Sequence, residues 1–203
     1  TPVITWLQNK QDWIINLGTG SQIISFIEPA EDAFELRQYF QNVSVHCVTH
    51  IPAGRALNVW ARFFQEVRDE TNPDYFWQML RSAGLQISPA KMPAFDLAVF
   101  HEAFGYDGGG TISNIHEDHF GPPQLFAGLL NSFLTQYLDI LSNADANMER
   151  PISIAGNMAT RMPVIKDWFE AYWNAPVTIQ KEIPDPTMAC MAELAINGLQ
   201  ERL

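Results

Sequence analysis

Close to its N-terminus, this 203-residue chain carries two apolar segments separated by a short loop of small polar residues. Residues 12–17 and 22–27 are rich in isoleucine and have the length of β-strands. The loop at residues 18–22, with the sequence GTGSQ, is too short for a crossover, so the two strands can pair only as an antiparallel hairpin. A plain two-residue turn would use Asn-Gly or Asp-Gly. The two glycines and two hydroxyls of this loop therefore require another explanation.

The hydrophobic period changes after a third strand, which alternation predicts at residues 43–48. Helical spacing predicts helices at residues 53–69 and 72–82, and a long helix with a broad apolar belt at residues 122–144. The remaining predicted elements are strands at residues 95–101, 111–115, 151–155 and 177–180, and helices at residues 160–174 and 185–198. The chain thus begins with a run of strands and continues with strands that alternate with helices. This order predicts a single α/β domain with a mixed β-sheet flanked by helices.

The composition limits the partners that we expect. The net charge is −11 and there is no run of Lys or Arg, so neither a nucleic acid nor an anionic membrane is an expected partner. Charged residues make up 17% of the chain, below the usual value of about 25%, so we expect a further domain or subunit to cover some surface, and a homodimer is one option. Cys47 and Cys190 lie in apolar segments, which predicts free thiols and a cytoplasmic protein.

Three loops contain glycines at positions suited to an anion. In the hairpin loop, glycine lets backbone amides approach a phosphate closely, and Thr19 adds a hydroxyl. Gly156 and Asn157 follow a predicted buried strand and precede a helix, which brings a helix N-terminus near a ligand. Gly54 lies at the start of the helix predicted at residues 53–69. Each loop also has a purely structural interpretation, as a hairpin tip or an ordinary connection.

Metal chemistry is a separate option. His116 and His119, with His101 as a third ligand, are residue types that bind Zn²⁺. Their spacing lies in a predicted loop and matches no established metal motif, so a solvated polar loop is the better explanation. No Gly-Lys-Ser/Thr follows the hairpin glycines, which excludes a Walker A loop.

In their order, these segments resemble the C-terminal half of FGGY-type carbohydrate kinases, which belong to the actin-like ATPases. The resemblance extends from about residue 12 to the C-terminus and rests on the GTGSQ hairpin, ELRQYF, VSVHCVTHIPAGRALNVWARFFQEV, PPQLFAGLLNSFLTQYLDIL, PISIAGNMATRMPVIKDWFEAYWNAPV and DPTMACMAELAI. It implies a ribonuclease-H-like (actin-like ATPase) domain over residues 1–203. The spacing of LAVFHEAFGYDGGGTISNI is most similar to that of sedoheptulokinases, although the Glu-Arg pair of those enzymes is replaced by Tyr106-Asp107.

The resemblance also implies a role for each glycine loop. The chain would be the nucleotide-binding lobe of a kinase that uses ATP and Mg²⁺ to phosphorylate a sugar hydroxyl. Gly18, Thr19 and Gly20 would contact the β- and γ-phosphates of the nucleotide. Gly54 would lie beside these phosphates, and Gly156 and Asn157 would flank the adenosine.

Other parts of such a kinase lie outside this chain. The sugar would be held mainly by an N-terminal lobe, and the general-base Asp would lie upstream of the hairpin, where residues 1–11 contain no Asp. We therefore assign no catalytic residue and no metal ligand here, and we expect this chain alone to be inactive. A second hypothesis is a degenerate actin-like domain with a binding or assembly role, because Asn157 and Met162 depart from the family pattern. A metal-dependent hydrolase built on the three histidines is a third.

Overall fold

A computed structural model of the chain describes residues 10–38, 44–68, 71–83 and 88–180. The strands in these ranges are β1 (Trp13–Leu17), β2 (Ser21–Ser25), β3 (Glu35–Gln38), β4 (Ser44–Ile51), β5 (Ala94–Phe95), β6 (Ile112–Ser113), β7 (Ile152–Ala155) and β8 (Val177–Ile179). The α-helices are α1 (Gly54–Arg68), α2 (Tyr75–Ser82), α3 (Pro122–Ala144), α4 (Asn157–Arg161) and α5 (Val164–Tyr172).

Six of the strands form a mixed sheet in the order β3-β4-β2-β1-β7-β8. β2 is antiparallel to both β1 and β4, and β3 is antiparallel to β4. β1 is parallel to β7, which is parallel to β8. The predicted antiparallel start and mixed sheet are confirmed. Because β1, β4 and β7 run in the same direction, their carboxyl ends lie at one end of the sheet, and the three glycine loops follow them.

The helices α1 to α5 contribute to one hydrophobic core on a single face of the sheet. Alternate residues of β1 face this core, and α3 supplies the broad apolar belt that its sequence predicted. The opposite face of the sheet is also buried, at Ile14, Ile24 and Cys47. Cys47 carries the free thiol that the sequence predicted, whereas Cys190 lies outside the described residues. No helix within the described ranges is both long and apolar enough to cross a membrane.

The helix predicted at residues 72–82 begins only at Tyr75, and three other predicted elements differ further from those observed. The strand predicted at residues 95–101 is wrong beyond Phe95, because the Asp96 carboxylate accepts a hydrogen bond from the Ala98 amide (2.9 Å) and turns the chain. The strand predicted at residues 111–115 is shortened to β6. The helix predicted at residues 160–174 is divided into α4 and α5 at Pro163, whose ring prevents a continuous helix.

The sequence also missed β3. All four residues of this strand are exposed, so its polar sequence, ELRQ, shows no apolar alternation. It lies at the edge of the sheet, where one side pairs with β4 and charged side chains are common. The helix predicted at residues 185–198 lies outside the described residues.

Candidate functional site

The candidate site lies at the carboxyl end of the sheet, where the loop after β1, the start of α1 and the turn after β7 meet. The Gly54 amide, at the start of α1, donates a 3.1 Å hydrogen bond to the carbonyl oxygen of Gly18, in the hairpin. The Arg55 amide donates a 2.7 Å bond to the carbonyl oxygen of Thr19. The first turn of α1 is thus fastened directly to the hairpin loop.

Only glycine allows this approach at position 54. A Cβ atom there would lie 2.8 Å from the Gly18 oxygen and 3.2 Å from the Thr19 Cα. It would also lie 3.4 Å from the Cε atom of Met158, in α4, so all three segments are in contact here. The sequence predicted Gly54 at the start of a helix, and the structure shows in addition that the Gly54 amide donates a hydrogen bond to the hairpin.

The hairpin carbonyls determine the direction of its amides. Every peptide bond among the described residues is trans, so the N–H of each residue points opposite to the carbonyl that precedes it. Because the carbonyls of Gly18 and Thr19 point toward α1, the amides of Thr19 and Gly20 point away from it. Thr19 and Gly20 are exposed. The hairpin tip therefore presents two adjacent amides and a hydroxyl to solvent, a donor set that suits an anion.

The turn after β7 lies directly against the base of the hairpin. Gly156 has a φ of +105°, a backbone conformation that residues with a side chain rarely adopt. The position that a Cβ atom would take on Gly156 lies against the backbone of Leu17. Asn157 begins α4 and is exposed, whereas Met162 is only 1% exposed and belongs to the core. Packing therefore accounts for an apolar residue at position 162, because that side chain does not face solvent.

A bulge at the end of β4 directs the chain toward α1. The pairing of β2 with β4 shifts between Ser21 and Ile23, and on the β4 side His50 has a φ of +60°. The His50 carbonyl accepts a 2.9 Å bond from the Phe104 amide, which attaches the loop that follows β5. Sequence reasoning missed this bulge, because nothing in the strand pattern around His50 indicates it.

Arg55 connects the same loop to α1. Its guanidinium carbon lies 4.2 Å from the centre of the Phe100 ring, and its Nη1 lies 3.6 Å from a carboxylate oxygen of Glu102. Both members of this ion pair are largely exposed, so the pair contributes little to stability. Arg55 nevertheless provides a positive charge one residue beyond the Gly54 contact.

A cleft of about 320 Å³ lies beside α3, and none of the six predicted nucleotide contacts lines it. Its carboxylates are those of Glu31, Asp96 and Asp139, and no Lys, Arg or His of the described residues lines it. Desolvation raises the pKa of Asp139. Three carboxylates without a cation repel phosphate, so this cleft does not suit a nucleotide's phosphates.

The three histidines of the metal hypothesis have local partners. His116 Nε2 lies 3.1 Å from Asn114 Oδ1, and His119 Nδ1 lies 2.7 Å from the Asp118 carbonyl oxygen. The His101 ring contacts that of Tyr106 in a tilted arrangement, with the ring centres 4.9 Å apart. In the part of the chain that is described, no group of three or more His, Cys, Asp or Glu residues is arranged to hold a metal ion. The geometry therefore gives this hypothesis no support.

Comparison with known proteins shows which solved structures have a similar fold. No protein-family model matches the sequence, and no curated protein matches it. Among solved structures, the ligand-bound xylulose kinase from Lactobacillus acidophilus superposes with a TM-score of 0.68 at 17% identity. The xylulose kinase from Rhodospirillum rubrum gives 0.62 at 17% identity, and that from Bifidobacterium adolescentis gives 0.63 at 14% identity.

The similarity covers most of this chain and a minor part of each neighbour. The matches to the Lactobacillus, Rhodospirillum and Bifidobacterium enzymes cover 90%, 87% and 86% of this chain, but 38%, 36% and 34% of theirs. This chain thus spans little more than a third of the length of these kinases. The neighbours are carbohydrate kinases, as the resemblance predicted, and the closer likeness to sedoheptulokinases stays a prediction. The chain has the α/β fold of the actin-like ATPases, the fold that these xylulose kinases share with it.

Proposed function

We propose that this chain is the nucleotide-binding lobe of an FGGY-type, ATP-dependent carbohydrate kinase. The observation that carries the proposal is the hairpin–α1 contact, in which the carbonyls of Gly18 and Thr19 are held by α1. This contact turns the amides of Thr19 and Gly20 outward, as a phosphate requires. The carbohydrate kinases among its structural neighbours support the same function.

In this proposal the chain's own residues bind and orient the nucleotide. The amides of Thr19 and Gly20 and the Thr19 hydroxyl contact the β- and γ-phosphates, while Gly18 and Gly54 hold the loop in place from behind. Gly156 and Asn157, at the start of α4, flank the adenosine. MgATP supplies the phosphoryl group that is transferred, and Mg²⁺ offsets the charge of the phosphates.

Phosphoryl transfer depends on positioning and charge stabilisation from both sides of a cleft. We therefore propose that a second lobe contributes the sugar site and the general base, and that this chain alone binds nucleotide weakly and phosphorylates nothing. The buried free thiol of Cys47 fits the cytoplasmic location that we propose for it.

The test is calorimetric titration of MgADP and MgATP into this chain. We expect saturable binding, and we expect Thr19→Val to weaken it about tenfold or more, because a hydrogen bond to a charged group contributes about 1.5–3 kcal/mol. Thr111→Val is the matched control, since Thr111 is exposed and lies outside the predicted site.

A second titration distinguishes the two explanations of a negative result, a lobe that needs its partner lobe and a degenerate domain. If this chain does not bind, the measurement is repeated on the longer protein that contains both lobes. Absence of binding there overturns the proposal and favours a degenerate actin-like domain, whereas binding that is weakened by Thr19→Val but not by Thr111→Val supports it.

A further inference from the structure

An exposed strip of apolar side chains runs along the solvent side of α1. The strip consists of Val59, Phe63 and Val67, which are 38%, 50% and 67% exposed and follow one another at intervals of four residues. Residues four apart lie above one another on a helix, so the three side chains are neighbours. The Phe63 ring also meets the rings of Trp60 and Phe64 edge-on, with ring centres 6.1 and 5.4 Å apart. These contacts restrict the position of the exposed Phe63 ring.

The exposed strip of α1 is not the side by which this helix joins its own core. That side carries the buried residues Ala56, Leu57 and Ala61. Single exposed apolar residues are ordinary on a protein surface, whereas neighbouring ones mark a contact with another molecule. The low charged fraction of the chain predicts that another domain or subunit covers some surface. The exposed strip of α1 is a surface to which this prediction applies.

The arrangement of the strip is suited to a second copy of the same helix. Val59 and Val67 lie four residues to either side of Phe63. A two-fold axis through Phe63 turns one helix antiparallel to the other, so that Val59 of each copy faces Val67 of the other copy. The two Phe63 rings then meet at the centre. A partner of different sequence would not require this symmetry, so the arrangement favours self-association.

Two opposite charges beside the strip support the same pairing. Arg62 and Glu66 are exposed, and neither belongs to an ion pair among the residues that the structure describes. At about 100° per residue, both lie on the same flank of Phe63. In the antiparallel arrangement, Glu66 of one copy lies across from Trp60 of the other, about 3 Å along the axis from Arg62. An Arg side chain spans that distance, and the two-fold axis produces the ion pair twice.

The net charge of α1 also suits a contact between two copies. The chain carries a net charge of −11, which opposes association of two copies in general. The sequence of α1, however, contains three Arg residues and one Glu, so the excess of negative charge lies elsewhere in the chain. Two copies that meet through α1 therefore keep most of their negative charge away from the contact.

We propose that the exposed strip of α1 is the contact of a symmetric homodimer, in which the α1 helices of two copies of this chain pack antiparallel about Phe63. Three apolar side chains per copy form a small contact, so we expect a weak dimer with a dissociation constant of about 10–100 μM. Formation of this dimer requires no nucleotide. The proposed nucleotide-binding function can therefore fail while the dimer stands, and the reverse also holds.

The test is sedimentation equilibrium of the chain over about 5–500 μM, without nucleotide. We expect a reversible equilibrium between monomer and dimer. Phe63→Gln should raise the dissociation constant by about tenfold or more, because central aromatic side chains dominate small interfaces. Val67→Gln, at a more exposed position, is a second variant that should weaken the dimer without affecting the core. Phe120→Gln is the matched control, since Phe120 is 48% exposed and lies outside α1.

Charge reversal tests the pairing of Arg62 with Glu66 separately. Arg62→Glu and Glu66→Arg should each raise the dissociation constant by about fivefold, because like charges then face each other across the contact. The double variant, which exchanges the two charges, should restore the wild-type value to within about twofold.

Lys166→Glu and Glu170→Lys, at exposed positions of α5, are the controls for net charge. Glu170→Lys and Glu66→Arg remove the same amount of negative charge from the chain. We expect Glu170→Lys to strengthen association slightly, through weaker general repulsion, and Glu66→Arg to weaken it. If both charge variants of α1 followed net charge as the controls do, the antiparallel arrangement would be overturned.

Sedimentation of the longer protein that contains both lobes decides between a second copy and another occupant. The same dissociation constant, with the same effects of the variants, supports the homodimer. A chain that remains monomeric at about 500 μM, or a dimer that Phe63→Gln and Val67→Gln leave unchanged, overturns the proposal. A longer protein that remains monomeric also overturns it, because another lobe then covers the exposed strip of α1.

Discussion

A Cβ atom on Gly156 would lie 2.8 Å from the carbonyl carbon of Leu17 and would overlap its oxygen. Real Cβ contacts do not occur below 3.0 Å, and Gly156 also has a φ of +105°, so position 156 excludes a side chain for two independent reasons. The close approach brings the turn after β7 against the last residue of β1, where the hairpin begins.

We expect Gly156→Ala to destabilise the protein by about 2–4 kcal/mol, because strain and overpacking add. The measurement is the free energy of unfolding from urea denaturation. Gly20→Ala is the control for stability, since a Cβ at Gly20 would meet nothing within 4 Å, and it should change stability by no more than about 0.5 kcal/mol. Equal stability of the two variants would contradict the close contact with Leu17.

His50 supplies a second prediction, which concerns the bulge at the end of β4. Its φ of +60° is tolerated by His better than by β-branched residues. We expect His50→Val to lower stability by about 1–2 kcal/mol and His50→Gly to leave it nearly unchanged. His46→Val is the control, because His46 lies in the regular part of the same strand. If Val were tolerated equally at both positions, His50 would not carry the strain that its conformation indicates.

Arg150 fastens the opposite end of the sheet. Its guanidinium lies 4.0 Å from the centre of the Trp13 ring and donates to the Asp12 carbonyl and to the Ser25 hydroxyl, at 3.4 and 3.0 Å. Burial lowers the pKa of Arg150, and Asp145 and Asp12 oppose that shift. Arginine remains charged at any pH near neutrality.

We expect Arg150→Ala to reduce the free energy of unfolding by about 2 kcal/mol, through loss of the cation–π contact and of these hydrogen bonds. Arg150→Lys should recover only part of it, because an ammonium group cannot make the stacked, forked contact. Arg81→Ala, at an exposed position of α2, is the control and should be nearly neutral. Full recovery by Lys would show that charge alone matters at this position.

Much of the fold was predictable because local patterns determine it. The short hairpin loop allowed only an antiparallel start, and the broad apolar belt of α3 indicated a buried helix, as observed. The polar strand β3 was not predictable, since an edge strand with both faces exposed shows no alternation. The division between α4 and α5 at Pro163 could have been predicted from the proline itself.

The candidate site was predictable only in part. Sequence reasoning named the three glycine loops, and the structure brings them into contact around Gly54 and Gly156. No local pattern in the sequence indicates that the Gly54 amide donates a hydrogen bond to the hairpin. Nor does any local pattern pair the Tyr137 hydroxyl with the Pro52 carbonyl oxygen, 3.4 Å away, because this contact depends on how α3 crosses the sheet.

Asp139 gives a prediction about pH. Desolvation in the cleft beside α3 raises its pKa, and its position in the last turns of the helix is unfavourable for a negative charge. Because the pKa is higher in the folded state, ionised Asp139 destabilises the fold. This penalty is absent below the unfolded pKa of about 3.9 and develops as the pH rises through the folded value. Because the Asp139 side chain is exposed, solvent screens its charge and the effect is small. We therefore expect Asp139→Asn to stabilise the protein at pH 7 by only about 0.5 kcal/mol, with the gain disappearing toward pH 3.5.

The measurement is urea denaturation of both proteins between pH 3.5 and pH 7. Asp107→Asn, in an exposed loop, is the control for the change in net charge, and it should give a smaller gain at pH 7. Because the chain carries a net charge of −11, removing any negative charge relieves some general repulsion. Only the excess of the Asp139 variant over the Asp107 variant reports the cleft, so equal gains at pH 7, or a gain that persists at pH 3.5, would contradict the assignment of desolvation to Asp139.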